Sequence, residues 1–181
     1  MTSELQTALE VQIRDIREDD VPTIAEIDAR ARRRQRAQSW AERLYSLSAK
    51  QAGAGARQWC RVAEVEGQVV GFLLGQVRAD EFELPPCGWI VTIGVDPEFQ
   101  GRHVGRQLVQ QFIDDLVARK VTTVRTMVAW DNAELLSFFG SLSFDCGPLL
   151  PLERQLKPPD VHILAGQGSD HTQKETKKEE P

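Results

Sequence analysis

The sequence predicts a mixed α/β fold, a single mixed sheet with helices packed on its faces. Three observations predict it. A valine-rich hairpin signal, WCRVAEVEGQVVGFLLGQV, lies in the first half of the chain, and the nearly continuous apolar run GWIVTIGV follows it. From Val104 onward the apolar spacing switches abruptly to three and four residues. Strand and helix signals then alternate, which suits strand–helix–strand units on one sheet.

Taken in order, VQIRDIR has the period-two character of a short strand. EDDVPTIAEID then offers Asp20 as a helix cap, Pro22 near the first turn, and Ile24 and Ile27 on one face. Residues 38–51 give a second helix candidate, ended by the glycines of AGAG. The hairpin signal turns at Glu66 and Gly67. After the proline loop ELPPCG, GWIVTIGV reads as a central strand buried on both faces, stopping at Asp96 and Pro97. Val104, Leu108, Val109, Phe112, Ile113, Leu116 and Val117 form one apolar stripe, hence a helix. VTTVRTMVAW is a further strand. Asp131 or Asn132 can cap a helix carrying Leu135, Leu136, Phe138 and Phe139. Phe144 and PLLPLERQL supply the last extended pieces, whose prolines predict an edge position.

At 181 residues, 41% hydrophobic and 27% charged, the chain suits one globular domain. No stretch approaches the roughly 20 apolar residues needed to cross a bilayer, so no membrane association is expected. The start MTSELQTALEVQ lacks the basic and apolar regions of a secretory signal, which predicts a cytoplasmic protein. Residues 1–10 are expected to be a flexible arm. From Gly166 to Pro181 the tail has almost nothing apolar to bury, which predicts disorder. Cys60, Cys87 and Cys146 are odd in number and form no paired motif, so neither a disulfide framework nor a metal site is expected. A net charge of −5 and a pI near 5.3 argue against nucleic acid as a partner. The crowded Arg30, Arg32, Arg33, Arg34 and Arg36 would point in several directions on a helix, which reads first as a solvated face.

Chemistry concentrates in IGVDPEFQGRHVGRQLV, where a buried strand enters a polar turn with two glycines and then the strongest helix. The first amides of a helix have no intrahelical partner, and with the helix dipole they suit phosphate oxygens. Gly101 and Gly105 would allow close backbone approach, and Arg102 and Arg106 add charge. A plain polar turn is the competing reading.

This segment resembles the first motif of the GNAT superfamily of N-acetyltransferases: Gln or Arg, two residues, Gly, one residue, then Gly or Ala. Gln100 and Gly105 fill the outer positions, GVDPEF precedes them, and His103 stands where the family usually has glycine. The resemblance runs from about Val11 to Leu156. Asn132 matches the helix-start asparagine, and LLSFFGSLSF matches the family's later helix, with Phe139 at the frequent tyrosine position and Ser143 at a glycine position. The resemblance implies a sheet of six to seven strands with about four helices, and an acyltransferase domain over residues 11–160. It implies acetyl-CoA as acyl donor, held by Ile93, Gly94 and Val95 along the pantetheine arm. Gln100, Gly101, Arg102, His103, Val104, Gly105 and Arg106 would lie at the pyrophosphate, with Asn132 and Phe139 beyond them.

The implied reaction moves an acetyl or other short acyl group to a primary amine of a small molecule or peptide by direct attack. A strand N–H polarises the carbonyl, and a carboxylate accepts the amine's proton. GWIVTIGV holds no carboxylate, and of the nearby Glu81 and Glu83 the candidate base is Glu81; a surface role without catalysis competes. Phe139 cannot donate the proton that the family's tyrosine gives the leaving thiolate, so the general acid is unassigned. The altered positions 103, 139 and 143 also admit a non-catalytic acyl-CoA sensor or interaction module. By resemblance the Arg30–Arg36 stretch borders the acceptor site, and the late strands could pair in a homodimer.

Overall fold

The structure, a computed structural model, describes residues 10–32, 58–79, 85–149 and 151–154. The second helix candidate at 38–51, Glu81, Glu83 and the tail from Gly166 lie outside the described residues. The chain divides into two units at Gly147 and Pro148, and the described residues of the second carry neither helix nor strand. Extended pieces were expected there. Pro148 and Pro151 have no N–H to give a ladder, and those residues pair with no strand among the described ones.

The first unit runs β1 (Gln12–Asp15), α1 (Val21–Arg32), β2 (Gln58–Val65), β3 (Gln68–Arg78), β4 (Cys87–Val95), α2 (Val104–Ala118), β5 (Val124–Thr126) and α3 (Ala133–Gly140). Five strands and three helices are thus described, where six to seven strands and about four helices were expected. The sheet order is β1-β2-β3-β4-β5, antiparallel throughout except for the parallel β4–β5 pair.

The β2–β3 hairpin closes through Glu66 at φ 50 and Gly67 at φ 80. Two consecutive positive φ angles mark the turn whose twist matches that of paired strands. Both faces of the sheet are covered. Against one lie Val21, Ile24 and Ile27 of α1, packed with Val62, Phe72 and Leu74. The other receives the α2 stripe, with Val104, Leu108, Val109, Phe112 and Leu116 against Ala63, Leu73 and Ile90, joined by Phe139 of α3. Burial on both faces explains why β3 and β4 read as nearly continuous apolar runs. Glycine sets how closely α2 approaches, since a Cβ at Gly75 would lie 2.2 Å from the Phe112 ring and one at Gly88 2.3 Å from Leu116.

Asp20 does not cap α1 as the sequence suggests. It ends a short 3-10 turn, Glu18–Asp20, that runs into the helix, and its carboxylate reaches back to the Arg17 N–H at 2.6 Å. Three consecutive acidic residues start the turn one step earlier than the apolar spacing shows. The same carboxylate accepts from Arg14 at 2.7 and 2.9 Å, while Arg14 also donates to Glu64 at 2.7 Å. VTTVRTMVAW contributes only three residues to the sheet, because β4 turns away from β5 after one short run of pairing. No helix among the described residues is long and apolar enough to cross a membrane.

Candidate active site

The site begins where β4 and β5 part. Their pairing covers Gly88–Ile90 against Val124–Thr126, and the Thr126 hydroxyl donates to the Ile90 carbonyl at 3.1 Å. Immediately beyond, the β3–β4 register skips from Gly75↔Ile90 to Leu74↔Thr92, leaving Val91 in a bulge. A bulge bends and twists its strand, which carries β4 away from β5. Asp96 donates its N–H to the Val70 carbonyl on the β3 side at 2.9 Å. Backbone groups alternate along a strand, so those of Val95 and Ile93 face the opposite way, into the opening. There the Val95 carbonyl accepts from the Gln100 side chain at 3.2 Å.

The opening is a cavity of about 1220 Å³. Ile93, Gly94 and Val95 line it from β4, and Gln100, Gly101, His103, Val104, Gly105 and Arg106 line it from the turn and the start of α2. Asn132 and Phe139 line it from the α3 side, and Arg30 and Ala31 of α1 close one wall. Of the coenzyme residues expected from the sequence, Arg102 alone does not line it. Its guanidinium lies over the Phe99 ring, 5.5 Å from the centroid, because the turn directs it outward. Glu81 lies outside the described residues.

The turn is built to leave donors open. Asp96 accepts the Glu98 N–H at 3.1 Å and so starts the short 3-10 turn Pro97–Phe99. Gly101 at φ 75 and His103 at φ 63 then take left-handed conformations that fold the chain into α2. His103 is exposed and occupies the cap position without making a side-chain cap bond. The first helical bond here runs from the Gln107 N–H to the His103 carbonyl at 3.1 Å. The N–H groups of Val104, Gly105 and Arg106 therefore precede it without an intrahelical partner, at the positive end of a 15-residue helix. Together with the left-handed residues they make a concavity suited to anionic oxygens.

The two glycines have different tasks. A Cβ at Gly101 would meet nothing within 4 Å, so its value lies in the left-handed backbone. One at Gly105 would sit 3.3 Å from the Phe138 ring, so its bareness lets α3 lie against the first turn of α2. Arg106 donates to the carbonyl and hydroxyl of Ser141, both at 3.2 Å, and so caps the end of α3.

On α3, Asn132 accepts the Leu135 N–H at 3.0 Å, as expected of a cap. Phe139 is buried, with its ring centroid 5.1 Å from that of Phe138 and 5.0 Å from that of Phe144. Ser143 has φ 64, with Ser143 N–H on the Gly140 carbonyl and Phe144 N–H on the Phe139 carbonyl. That paired arrangement ends a helix on a left-handed residue and explains why glycine suits this position.

Several features were not evident from sequence. Arg30 forms an ion pair with the buried Asp96 at 2.6 Å, joining α1 to the end of β4. Nothing local to either residue signals it. Arg30 reads as one of a solvated arginine cluster and Asp96 as a strand stop. Val91, Thr126 and Met127 also line the cavity, a consequence of the bulge. Cys60 is buried, and burial, aided by Asp20 and Asp15, pushes its thiol up to about 12, so it offers no nucleophile. Glu64 is held by Arg14.

Known proteins resemble this chain in sequence and in fold. The family model described as the acetyltransferase (GNAT) family matches residues 14–144. The ribosomal protein bS18-alanine N-acetyltransferase of Salmonella typhimurium is 30% identical over 126 residues, covering 70% of this chain and 75% of that enzyme. The L-2,4-diaminobutyric acid acetyltransferase of Nocardia farcinica is 32% identical over 92 residues, or 47% of this chain, and the match spans 46% of that enzyme's length. In fold, the aminoglycoside N-acetyltransferase AAC(6')-Iy in complex with CoA superposes with a TM-score of 0.66 at 15% identity, covering 83% of this chain and 98% of that one. A match that runs from β1 to the end of α3, and so takes in the split strands and the amide-lined turn, means that the chain belongs to the GNAT family of N-acetyltransferases.

Proposed function

We propose that the protein transfers an acetyl group from acetyl-CoA to a primary amine of a small molecule or peptide, by direct attack of the neutral amine on the thioester. The observation that carries this is the continuity of one cavity from the unpaired amides of Val104, Gly105 and Arg106 to the backbone of Ile93 and Val95. A diphosphate at the first end leaves an extended arm to run along β4. The strand groups there can hold amide-bearing pantetheine and polarise the thioester carbonyl. The relatives support an amine acceptor, since by name they act on an alanine amine, on diaminobutyric acid and on aminoglycosides.

Proton transfer is less conventional. Phe139 has no hydroxyl, so the leaving thiolate would take its proton from water or from a neighbouring group. The same feature favours a second reading, a sensor that binds acyl-CoA without turnover.

Titration calorimetry with acetyl-CoA, followed by thiol release across a panel of amines, tests both. Saturable binding with thiol release for at least one amine is the expected result. Binding without release for any amine supports the sensor, and no binding by the folded chain overturns the coenzyme assignment.

A further inference from the structure

We infer that Arg30 of α1 is a positioning residue for the amide-bearing turn, acting through Asp96. The inference deepens the function proposed above and relies on it for the identity of the ligand. Its structural half stands without a ligand.

Asp96 occupies the point where β4 ends and the turn begins. Every polar group it has is engaged in shaping that transition. Its N–H reaches Val70 on β3 at 2.9 Å, its carbonyl accepts the Phe99 N–H at 2.8 Å, and one carboxylate oxygen accepts the Glu98 N–H at 3.1 Å. The other oxygen meets the Arg30 guanidinium at 2.6 Å. The Asp96 side chain is only 5% exposed, whereas that of Arg30 is 46% exposed.

A carboxylate buried to this degree needs compensation by charge as well as by hydrogen bonds. The single turn N–H satisfies one oxygen. Without Arg30, the other would carry an uncompensated charge beside the cavity, and the carboxylate that holds the Glu98 N–H would be drawn towards the solvent left by the arginine, loosening residues 96–99. Those residues set where Gln100, Gly101 and His103 begin, and therefore where the amides of Val104 to Arg106 point. Arg30 reaches the junction from the helix on the opposite face of the sheet from α2. The turn is thereby clamped from the α1 side, while its other end is held by the packing of Gly105 on Phe138.

A direct contact between Arg30 and the ligand would also weaken binding on substitution, because Arg30 lines the cavity. The two roles separate in a double-mutant cycle. Acetyl-CoA dissociation constants are measured for the full chain and for Arg30→Gln, Asp96→Asn and the double variant. Native-state hydrogen exchange of the hydrogen-bonded amides of Asp96, Glu98, Phe99 and Gln100 is followed in the same four proteins without ligand.

Positioning predicts that Arg30→Gln weakens binding roughly tenfold and speeds exchange of the turn amides by a similar factor, with the middle of α2 unchanged. It also predicts that Arg30→Gln adds little further loss once Asp96 is Asn. Arg30→Lys, which keeps the charge, should recover part of both effects. An Arg30→Gln loss of binding that is equally large in both backgrounds, with turn exchange unaltered, overturns the inference in favour of direct contact. Unaltered exchange overturns it even if the parent chain binds no acetyl-CoA, and that failure of binding by itself counts only against the proposed function.

Discussion

Among the described residues, four non-glycine ones take left-handed backbones, and two of them, His103 and Ser143, stand where the family resemblance leads one to expect glycine. Each has an identifiable duty. Ser143 and Lys120, at φ 64 and φ 59, end α3 and α2 with the paired helix-terminating bonds. His103 opens α2, and its φ of 63 is the angle that turns the amides following it, those of Val104 to Arg106, towards the cavity. A side chain in this conformation costs about 1–2 kcal/mol, part of which glycine would give back as unfolded-state entropy. His103→Gly should therefore stabilise the fold by about 0.5–1 kcal/mol, raising the melting temperature by roughly 2 °C. Because the exposed imidazole makes no cap bond, acetyl-CoA should bind the variant at least as tightly. Thermal unfolding and titration calorimetry check the two halves. A lower melting temperature would contradict the strain argument, and weaker binding would mean that the imidazole itself holds the ligand.

At the scale of elements, the geometry rests on how near α2 comes to the sheet, and glycines set that distance. Phe112 is fully buried, so its ring has nowhere to retreat from a methyl group placed 2.2 Å away at Gly75. Gly75→Ala should destabilise the fold by about 1–3 kcal/mol through overpacking, read as a lower urea midpoint with an unchanged slope. The same substitution at Gly101, which faces open space, would act through backbone strain alone. Such contrasts also show what could be read in advance. The α2 stripe was legible because a helix packed on one face repeats its apolar residues over several turns. The turn was legible because its glycines and helix start are contiguous. β5 was legible in kind but not in length, since VTTVRTMVAW is equally apolar whether or not β4 stays beside it, and the bulge at Val91 decides that. The Arg30–Asp96 pair was hidden because it joins residues of different elements, and neither has a local pattern that betrays the other.

For the whole molecule, acid should be the condition that discriminates, because much of the polar bracing depends on carboxylates. Arg61 ties β2 to Asp115 of α2 at 2.8 Å and also pairs with Asp15 of β1. Arg14 joins β1 to Glu64 of β2 and to Asp20 at the entry of α1. Burial alone would raise the Asp20 pKa, but hydrogen bonds from Arg14 and from the Arg17 N–H outweigh it and hold the group below its ordinary value. The Arg14 guanidinium is correspondingly raised, by its hydrogen bond to Asp20 against the cost of burial, and stays charged at every working pH. A carboxylate with a lowered folded pKa contributes stability that is complete above its unfolded value of about 3.9 and is lost as pH falls through the folded value. Asp20→Asn should accordingly cost about 2 kcal/mol at pH 7, since it leaves Arg14 with one carboxylate partner in a buried site. The deficit should hold steady down to about pH 5 and then narrow below about pH 4, as Asp20 of the parent protein takes up its proton. Urea unfolding of both proteins at neutral and acidic pH measures the difference. A deficit that stayed constant through acid would show that Asp20 braces the fold by shape and hydrogen bonding and not through its charge.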